Sequence, residues 1–262
     1  MKGKLYLLFA LMMLFSGNVF ATHIVGGSLT YEHLGGSTYR ILLRLYRDCT
    51  PATAPHANFD ANARIDIYNS AGTVMPFSPI VLPLVQISNV PLNLDTCVAD
   101  PGICIEEGLY TGIVNNLPPV VGGYHMYYET CCRNSSLVNI VNPLNAGEGF
   151  YCKISDNTML LTNSSPQWVN FPPVFVCQGQ PINFDHSATD PDGDSLVYSF
   201  YRPLSDIDYT VSNDLTFTAG NPNFVFVNYN GDTESTIRLV EQTSPFLPEE
   251  LWMVCLQALD NT

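Results

Sequence analysis

The chain has 262 residues, of which 46% are hydrophobic and 13% charged, with 24 acids against 10 lysines and arginines. A net charge of −14 has the wrong sign for a nucleic-acid binder, because that affinity comes largely from cationic side chains on phosphates. High hydrophobicity with low charge density also excludes a disordered chain. We therefore expect a folded protein with a sizeable core and no nucleic-acid partner.

The N-terminus has the three regions of a secretory signal peptide. Lys2 and Lys4 precede an apolar run over 5–15, and small residues follow as far as Ala21. That run is too short for a membrane span, which needs about 20 residues. The sequence predicts cleavage after Ala21 and no membrane span in the mature chain. Cleavage would remove two lysines and no acid, so the net charge would change from −14 to −16.

Period-two alternation of apolar side chains, which is typical of strands, is the main structural pattern. It runs through 39–46, 64–68 and Tyr124–Thr130. Further runs rich in β-formers lie at Leu196–Phe200, 224–227, 236–240 and 252–256. Glycine and proline pairs separate the runs, as in folds with many short antiparallel strands, and no long amphipathic helix is predicted.

A domain boundary is predicted near Asn163-Ser164-Ser165-Pro166, which is followed by Pro172-Pro173. The predicted fold class is all-β, with two consecutive antiparallel β-sandwich domains after the signal peptide of residues 1–21. The domains span 22–163 and 164–262, and the second has about the size of an immunoglobulin-like sandwich of ~100 residues.

Eight cysteines in an exported chain predict up to four disulfides. The short loop between Cys97 and Cys104 favours a bond between those two, and Cys177 with Cys255 would clamp the second domain. Cys131 and Cys132 are adjacent, so on a strand they point to opposite faces and have different partners. The disulfide candidates are Cys49, Cys97, Cys104, Cys131, Cys132, Cys152, Cys177 and Cys255, and the remaining pairings stay open.

The acidic turn, which we define as residues 190–194, is a candidate calcium site. Asp190, Asp192 and Asp194 alternate with Pro191 and Gly193, and carboxylate oxygens are the ligands that Ca²⁺ prefers. Additional ligands would come from backbone carbonyls or from Asp185, Asp206 and Asp208. The alternative is a plain aspartate-rich turn, in which the carboxylates accept hydrogen bonds from nearby backbone N–H groups.

Two patterns imitate hydrolases. Ile24-Val25-Gly26-Gly27 and Gly193-Asp194-Ser195 resemble trypsin-like segments, and Gly193-Asp194-Ser195-Leu196 also resembles the motif of the GDSL esterases. A nucleophilic serine needs a positioned base. No histidine lies in the Ala-Ala-His-Cys context of trypsin-like proteases, and all five histidines precede Ser195, whereas the base of the GDSL esterases lies far downstream of the serine, so His186 could serve only in a different topology. A serine hydrolase using Ser195 is therefore only a remote alternative.

The adjacent carboxylates Glu106 and Glu107 do not predict glycosidic chemistry. On an extended segment they point to opposite faces, and neighbours in sequence say nothing of two groups that flank a sugar. We expect them in a solvated loop next to Cys104.

A series of short motifs resembles one family. The motifs that carry the resemblance are His23-Ile24-Val25-Gly26-Gly27, Tyr46-Arg47-Asp48-Cys49, Cys104-Ile105-Glu106-Glu107-Gly108, Cys131-Cys132-Arg133-Asn134 and the run from Asn183 to Tyr198. In this order they resemble surface proteins of gliding-type Bacteroidetes, of the PKD-domain and gliding-motility-associated C-terminal-domain type. The resemblance covers about residues 23–200.

The resemblance implies an exported protein of PKD-like or cadherin-like β-sandwich modules with adhesion or envelope roles. It also implies a C-terminal sorting domain, for which the sequence leaves no room before Thr262. We therefore expect a non-catalytic surface or adhesion module, with the periplasm as the alternative location. A glycan-binding module that uses some of the 14 tyrosines is the second hypothesis. The partner would be a surface glycan or protein of unspecified identity, and the oligomeric state stays open.

Overall fold

The computed structural model describes residues 24–50, 58–91, 102–131, 133, 146–154, 163–170, 185, 187–200, 204–208, 211–214 and 256–260. All regular elements in this part of the chain are β-strands, and every strand pair is antiparallel. The predicted all-β class is therefore confirmed. The described part also contains no helix long and apolar enough to cross a membrane.

The described strands are β1 (Ile24–Gly35), β2 (Thr38–Asp48), β3 (Asn62–Asn69), β4 (Ile80–Asn89), β5 (Ile105–Val114), β6 (Tyr124–Thr130), β7 (Glu148–Ile154), β8 (Gln167–Trp168), β9 (Ala188–Thr189), β10 (Leu196–Phe200), β11 (Leu204–Asp208), β12 (Val211–Asp214) and β13 (Leu256–Asp260). Nine of them form one sheet in the order β1-β2-β5-β4-β3-β6-β7-β11-β12. Two short pairs, β10 with β13 and β8 with β9, lie outside it. The strands predicted at 224–227 and 236–240 fall outside the described residues.

The predicted alternation of buried and solvent-facing side chains is confirmed in the central strands. In β2, Tyr39, Ile41 and Leu43 are completely buried, while Arg40 and Arg44 lie on the other face. The core-facing residues of β3 and β6 are Ala63, Ile65, Ile67, Tyr124, Met126 and Tyr128. Each such large apolar side chain stabilises the fold by roughly 1.5–3 kcal/mol through burial, so this one face supplies the main core.

The sheet curls until β1 packs against β7 across this core. Gly27 of β1 lies so close that a Cβ there would sit 2.5 Å from the carbonyl oxygen of Arg44 and 2.9 Å from Cζ of Phe150. A side chain at position 27 would force apart β1, β2 and β7. Only glycine lets the three strands approach this closely.

The segment predicted as a domain boundary is packed against the edge of β1. Ser164 and Ser165 are 4% and 6% exposed. The Ser165 hydroxyl accepts a hydrogen bond from the Tyr31 N–H at 3.0 Å, the Ser165 N–H donates to the Tyr31 carbonyl at 2.9 Å, and the Ser164 hydroxyl accepts from the His33 N–H at 3.1 Å. These bonds satisfy backbone groups that an edge strand otherwise leaves open.

Strands from both sides of the predicted boundary join in one sheet. β11 follows β7 in the strand order, with Leu204 opposite Gly149. The division at residue 163 into two domains stays a prediction. If it is correct, the two domains share this sheet, because β11 of the second pairs with β7 of the first.

A disulfide joins Cys49, after β2, to Cys104, before β5. These strands pair with Asp48 opposite Ile105, so the two cysteines continue the ladder and their Cα atoms lie 4.8 Å apart. The expected bond between Cys97 and Cys104 is wrong. Strand pairing brings Cys49 to Cys104 despite a separation of 55 residues, and this outweighs closeness in sequence.

The other cysteines divide into three groups. Cys131 is disulfide-bonded. Cys152 lies on β7 with its sulfur 3.4 Å from the Ser165 hydroxyl oxygen, and a disulfide at this residue stays a prediction. The candidates Cys97, Cys132, Cys177 and Cys255 lie outside the described residues, as does the predicted signal peptide.

Candidate functional site

The acidic turn follows β9 and folds around the carboxylate of Asp190. One oxygen of Asp190 accepts hydrogen bonds from the N–H groups of Asp192, at 2.8 Å, and Asp194, at 3.0 Å. Gly193 has a φ of +87°, a conformation that glycine adopts without strain. These two hydrogen bonds are those expected of the aspartate-rich turn that the sequence left open as an alternative to a metal site.

Asp192 ties the turn to the large sheet. Its carboxylate accepts a hydrogen bond of 2.6 Å from the Ser164 N–H, and Ser164 in turn holds His33 on β1. The acidic turn is thereby connected through one serine to the edge of the nine-stranded sheet. Hydrogen bonds to a charged acceptor are stronger than neutral ones, so this contact orients the turn.

The second carboxylate oxygen of Asp190 is buried and has no hydrogen-bond partner among the residues that the structure describes. A buried polar atom of this kind calls for a water or an ion, and in this one respect the turn fits a cation. Asp185, predicted as an additional ligand, instead binds the N–H and hydroxyl of Ser187 and the amide of Asn170. Asp206 and Asp208 lie on β11, where only the backbone is described.

Within the described ranges, no group of three histidine, cysteine, aspartate or glutamate side chains is arranged to hold a metal ion. The three aspartates of the turn therefore do not converge on one point as placed. Calcium at Asp190, Asp192 and Asp194 stays a prediction.

An outer aromatic cluster, defined as Tyr68, His125, Tyr127 and Tyr151, crosses the solvent face of β3, β6 and β7. The ring centroids of Tyr68 and Tyr127 lie 5.7 Å apart, and those of Tyr127 and Tyr151 lie 5.0 Å apart. The sheet register explains the cluster, because Tyr127 lies opposite Tyr151 and Tyr68 lies opposite His125. All four side chains are half-buried.

The surroundings of His125 favour its neutral form. Burial lowers its pKa below the ordinary value of 6.5, and the positive charge of Lys153, its cross-strand neighbour, lowers it further. Nδ1 lies 2.9 Å from the Tyr151 hydroxyl, and the two rings stack at 5.8 Å. The cluster therefore presents neutral rings and polar hydroxyl edges, the combination by which tyrosine serves in contact surfaces.

Many of the tyrosines serve the core instead. Tyr39, Tyr110 and Tyr124 are almost completely buried, and the Tyr124 hydroxyl donates to the Pro118 carbonyl at 2.6 Å. The abundance of tyrosine in the sequence is thus partly a packing feature. Alternation in the sequence predicted the strand that carries Tyr127, but it did not predict β7, so Tyr151 was missed.

The adjacent glutamates are strand residues engaged by arginines. Glu107 binds Arg44 at 3.0 Å on one face of β5, and Glu106 binds Arg47 at 2.6 Å on the other. Their predicted opposite orientation is confirmed, whereas the expected solvated loop is wrong because β5 begins at Ile105. Paired in this way, they hold β2 against β5.

A buried ion pair between Arg133 and Glu148 was not predicted from the sequence. Their side chains are 3% and 7% exposed, and Nη1 of Arg133 lies 3.4 Å from Oε1 of Glu148. Arg133 also donates from Nε to the Gly147 carbonyl at 2.9 Å. Burial raises the pKa of Glu148 to about 7, although the charge of Arg133 opposes the shift.

Ser195 is exposed, and it lies between the acidic turn and β10. His186, its suggested base, lies outside the described residues. Comparison with protein-family models, with curated proteins and with solved structures returns no match for this chain. Its function therefore has to be argued from the residues themselves.

Proposed function

We propose that the chain is a non-catalytic, exported surface or adhesion module. The observation that carries the proposal is the disulfide between Cys49 and Cys104, which clamps two central strands, because such bonds persist in oxidising compartments. The signal-peptide pattern of residues 1–21 and the resemblance to Bacteroidetes surface proteins support the same location. The periplasm is the alternative compartment.

The engagement of the described carboxylates in structural contacts supports a non-catalytic role. Glu106 and Glu107 hold arginines of β2, while Asp190 and Asp192 hold backbone N–H groups of the turn and of Ser164. We further propose the finer architecture of two successive β-sandwich domains, with residues 164–262 as the second.

Antibody labelling of intact cells and an attachment assay test this proposal together. The protein is expected to be labelled on intact cells, and cells that lack it are expected to attach less to a surface. Re-expression of the Ser195→Ala variant should restore attachment as fully as the parent. Labelling only after cell disruption would contradict surface exposure, and failure of the variant to restore attachment would favour the hydrolase alternative.

A glycan-binding module is the second candidate, and the outer aromatic cluster favours it. Three tyrosines and a neutral histidine lie side by side on one sheet face, and such rings stack on the C–H faces of sugars while their hydroxyls bind sugar oxygens. On a glycan array, Tyr127→Ala should lose the signal while Tyr46→Ala, on the same sheet but outside the cluster, keeps it. No sugar bound above background by the parent would contradict this candidate.

The proposed module is also predicted to bind calcium at the acidic turn. The buried, unsatisfied oxygen of Asp190 would gain a partner, and a ligand that binds only the folded state raises its stability. The thermal midpoint should rise in millimolar Ca²⁺ relative to chelator, and Asp190→Asn should remove the rise. An unchanged midpoint for the parent protein would contradict the calcium prediction.

A further inference from the structure

Lys153 on β7 differs from the other cations that the structure describes. The chain has no other lysine after Lys4. Every arginine in the described ranges lies 3.7 Å or less from a carboxylate oxygen; these residues are Arg40, Arg44, Arg47, Arg64 and Arg133. Among the described cations, only the exposed Lys153 forms no ion pair. In a chain with a net charge of −14, this side chain is an isolated positive charge.

The strand register places Lys153 at one end of a row that crosses the outer face. His125 lies opposite both Lys153 and Tyr68. At the other end, Tyr68 pairs with Val74, which is 55% exposed. Directly opposed residues point to the same face, and neighbouring strands are about 4.8 Å apart. The row therefore leads over roughly 14 Å from an apolar side chain, through two rings, to a positive charge.

Tyr127 and Tyr151 widen this row into a surface. Each lies two residues from His125 or Lys153 on the same strand, and so points to the same face. The ring of Tyr151 stacks on His125, and the ring of Tyr127 contacts that of Tyr151. Burial and the charge of Lys153 lower the pKa of His125. The outer aromatic cluster is thus a set of neutral rings with Lys153 at its margin.

The described acids of this face lie away from Lys153. Asp66 is two strands away, about 10 Å between the backbones, and Arg64 lies 3.7 Å from its carboxylate. Glu129 is four residues from His125 along β6, about 13 Å. Exposed charges farther apart than about 8 Å are largely screened at physiological ionic strength. The ammonium group of Lys153 is therefore open to an anionic group of a ligand.

We propose that the outer aromatic cluster and Lys153 together bind a sparsely charged acidic glycan. This inference rests on the glycan-binding candidate and specifies its ligand class. Neutral sugar rings stack on the tyrosines, whose rings are apolar and whose hydroxyls are polar, while a uronic-acid carboxylate accepts a charge-assisted hydrogen bond from Lys153. A densely charged polyanion does not fit, because one lysine neutralises one carboxylate and the acidic chain repels the rest.

Calorimetric titration of the purified protein with short hyaluronan and glucuronoxylan oligosaccharides, each compared with its methyl ester, tests the proposal. The ester keeps the sugar rings and removes the negative charge. The parent protein should bind at least one acid about tenfold more tightly than its ester, because the ester loses the charge-assisted bond to Lys153. This preference should shrink as salt rises from about 50 to 500 mM, since salt screens the attraction.

Variants of Lys153 separate its charge from the stacking of the rings. Lys153→Gln should abolish the preference for the acid and leave the affinity for the ester unchanged, whereas Lys153→Arg should retain the preference. Arg40→Gln is the matched control, because it removes the same charge from a side chain on β2 that is paired with Glu32, and it should change neither affinity. Tyr127→Ala should weaken acid and ester alike.

The outcomes distinguish this inference from the glycan-binding candidate. Equal affinities for acid and ester, both weakened by Tyr127→Ala, would overturn the acidic preference while the glycan candidate stands. Binding of an acid that Tyr127→Ala leaves unchanged would overturn the proposed position of the site. Failure to bind either acid would also overturn the inference, whereas the glycan array decides the wider candidate. Polyglutamate bound as tightly as the acids would assign Lys153 to an acidic protein partner instead.

Discussion

The buried pair of Glu148 and Arg133 makes a quantitative prediction about pH and stability. Burial raises the pKa of Glu148 from 4.5 to about 7, so folding favours the protonated form. The stabilising contribution of this group is complete below pH 4.5 and is lost as the pH rises through 7. A difference of this size corresponds to about 3 kcal/mol of unfolding free energy.

The Glu148→Gln variant isolates this effect. Glutamine has the shape of the protonated acid and cannot ionise, so its contribution does not change with pH. Other titrating groups are common to both proteins and cancel in the difference. Between pH 4 and pH 8, the parent should therefore lose about 3 kcal/mol of stability relative to the variant.

Urea unfolding of both proteins at pH 4, 6 and 8 measures this difference. Glu129→Gln is the matched control, because Glu129 is exposed on the adjacent strand β6 and should contribute within about 0.5 kcal/mol at all three pH values. A pH-independent difference between parent and Glu148→Gln would refute the reasoning. If the parent instead became more stable than Glu148→Gln as the pH rises, the attraction between Glu148 and Arg133 would exceed the cost of burying the Glu148 carboxylate.

Three further variants, one of them a double substitution, test the packing of the sheet and the bonds that hold its strands together. Gly27→Ala should destabilise the fold by about 2 kcal/mol or more, because the new Cβ would overlap Arg44 and Phe150. The control Gly26→Ala should be almost neutral, because the nearest atom to its Cβ is 4.0 Å away. Equal thermal midpoints for the two variants would contradict this packing. The double variant Cys49→Ser, Cys104→Ser should lose about 4 kcal/mol of unfolding free energy, since the disulfide closes a loop of 55 residues. An unchanged urea midpoint would contradict a stabilising role for this disulfide. Ser165→Ala should cost about 1–3 kcal/mol because it leaves the Tyr31 N–H without its acceptor, and unchanged hydrogen exchange at Tyr31 would argue against this role.

The sequence predicted those strands whose own composition favours a strand. β2 and β6 carry aromatic or aliphatic side chains at alternate positions, and the burial of one face confirms them. β1, β4 and β5 were not identified, since they contain Gly26-Gly27, Pro83 and Glu106-Glu107. Pairing with neighbouring strands overrides these weak local preferences.

Pro83 illustrates why such a strand is tolerated. β4 changes its partner strand at this residue. Its residues from Ile80 to Pro83 pair with β3, and pairing with β5 begins at Leu84. The missing N–H of the proline therefore falls where the ladder changes sides. Local sequence shows the proline but not the two partner strands.

The site features depended on contacts between distant residues. The bonding of aspartates within the acidic turn is local and was anticipated as an alternative, whereas the bond from Asp192 to Ser164 spans 28 residues. The bond between Cys49 and Cys104 and the meeting of Tyr127 with Tyr151 follow from strand register in the same way. Such pairs become visible only when the order of strands is known.

A disulfide map of the protein from its native cells tests the central claim most directly. Free thiols are blocked in intact cells before lysis, and the non-reduced peptides are identified by mass spectrometry. The account predicts a peptide that links Cys49 to Cys104. A link between Cys97 and Cys104, or Cys49 and Cys104 recovered as free thiols, would contradict the account of an exported sheet clamped between β2 and β5.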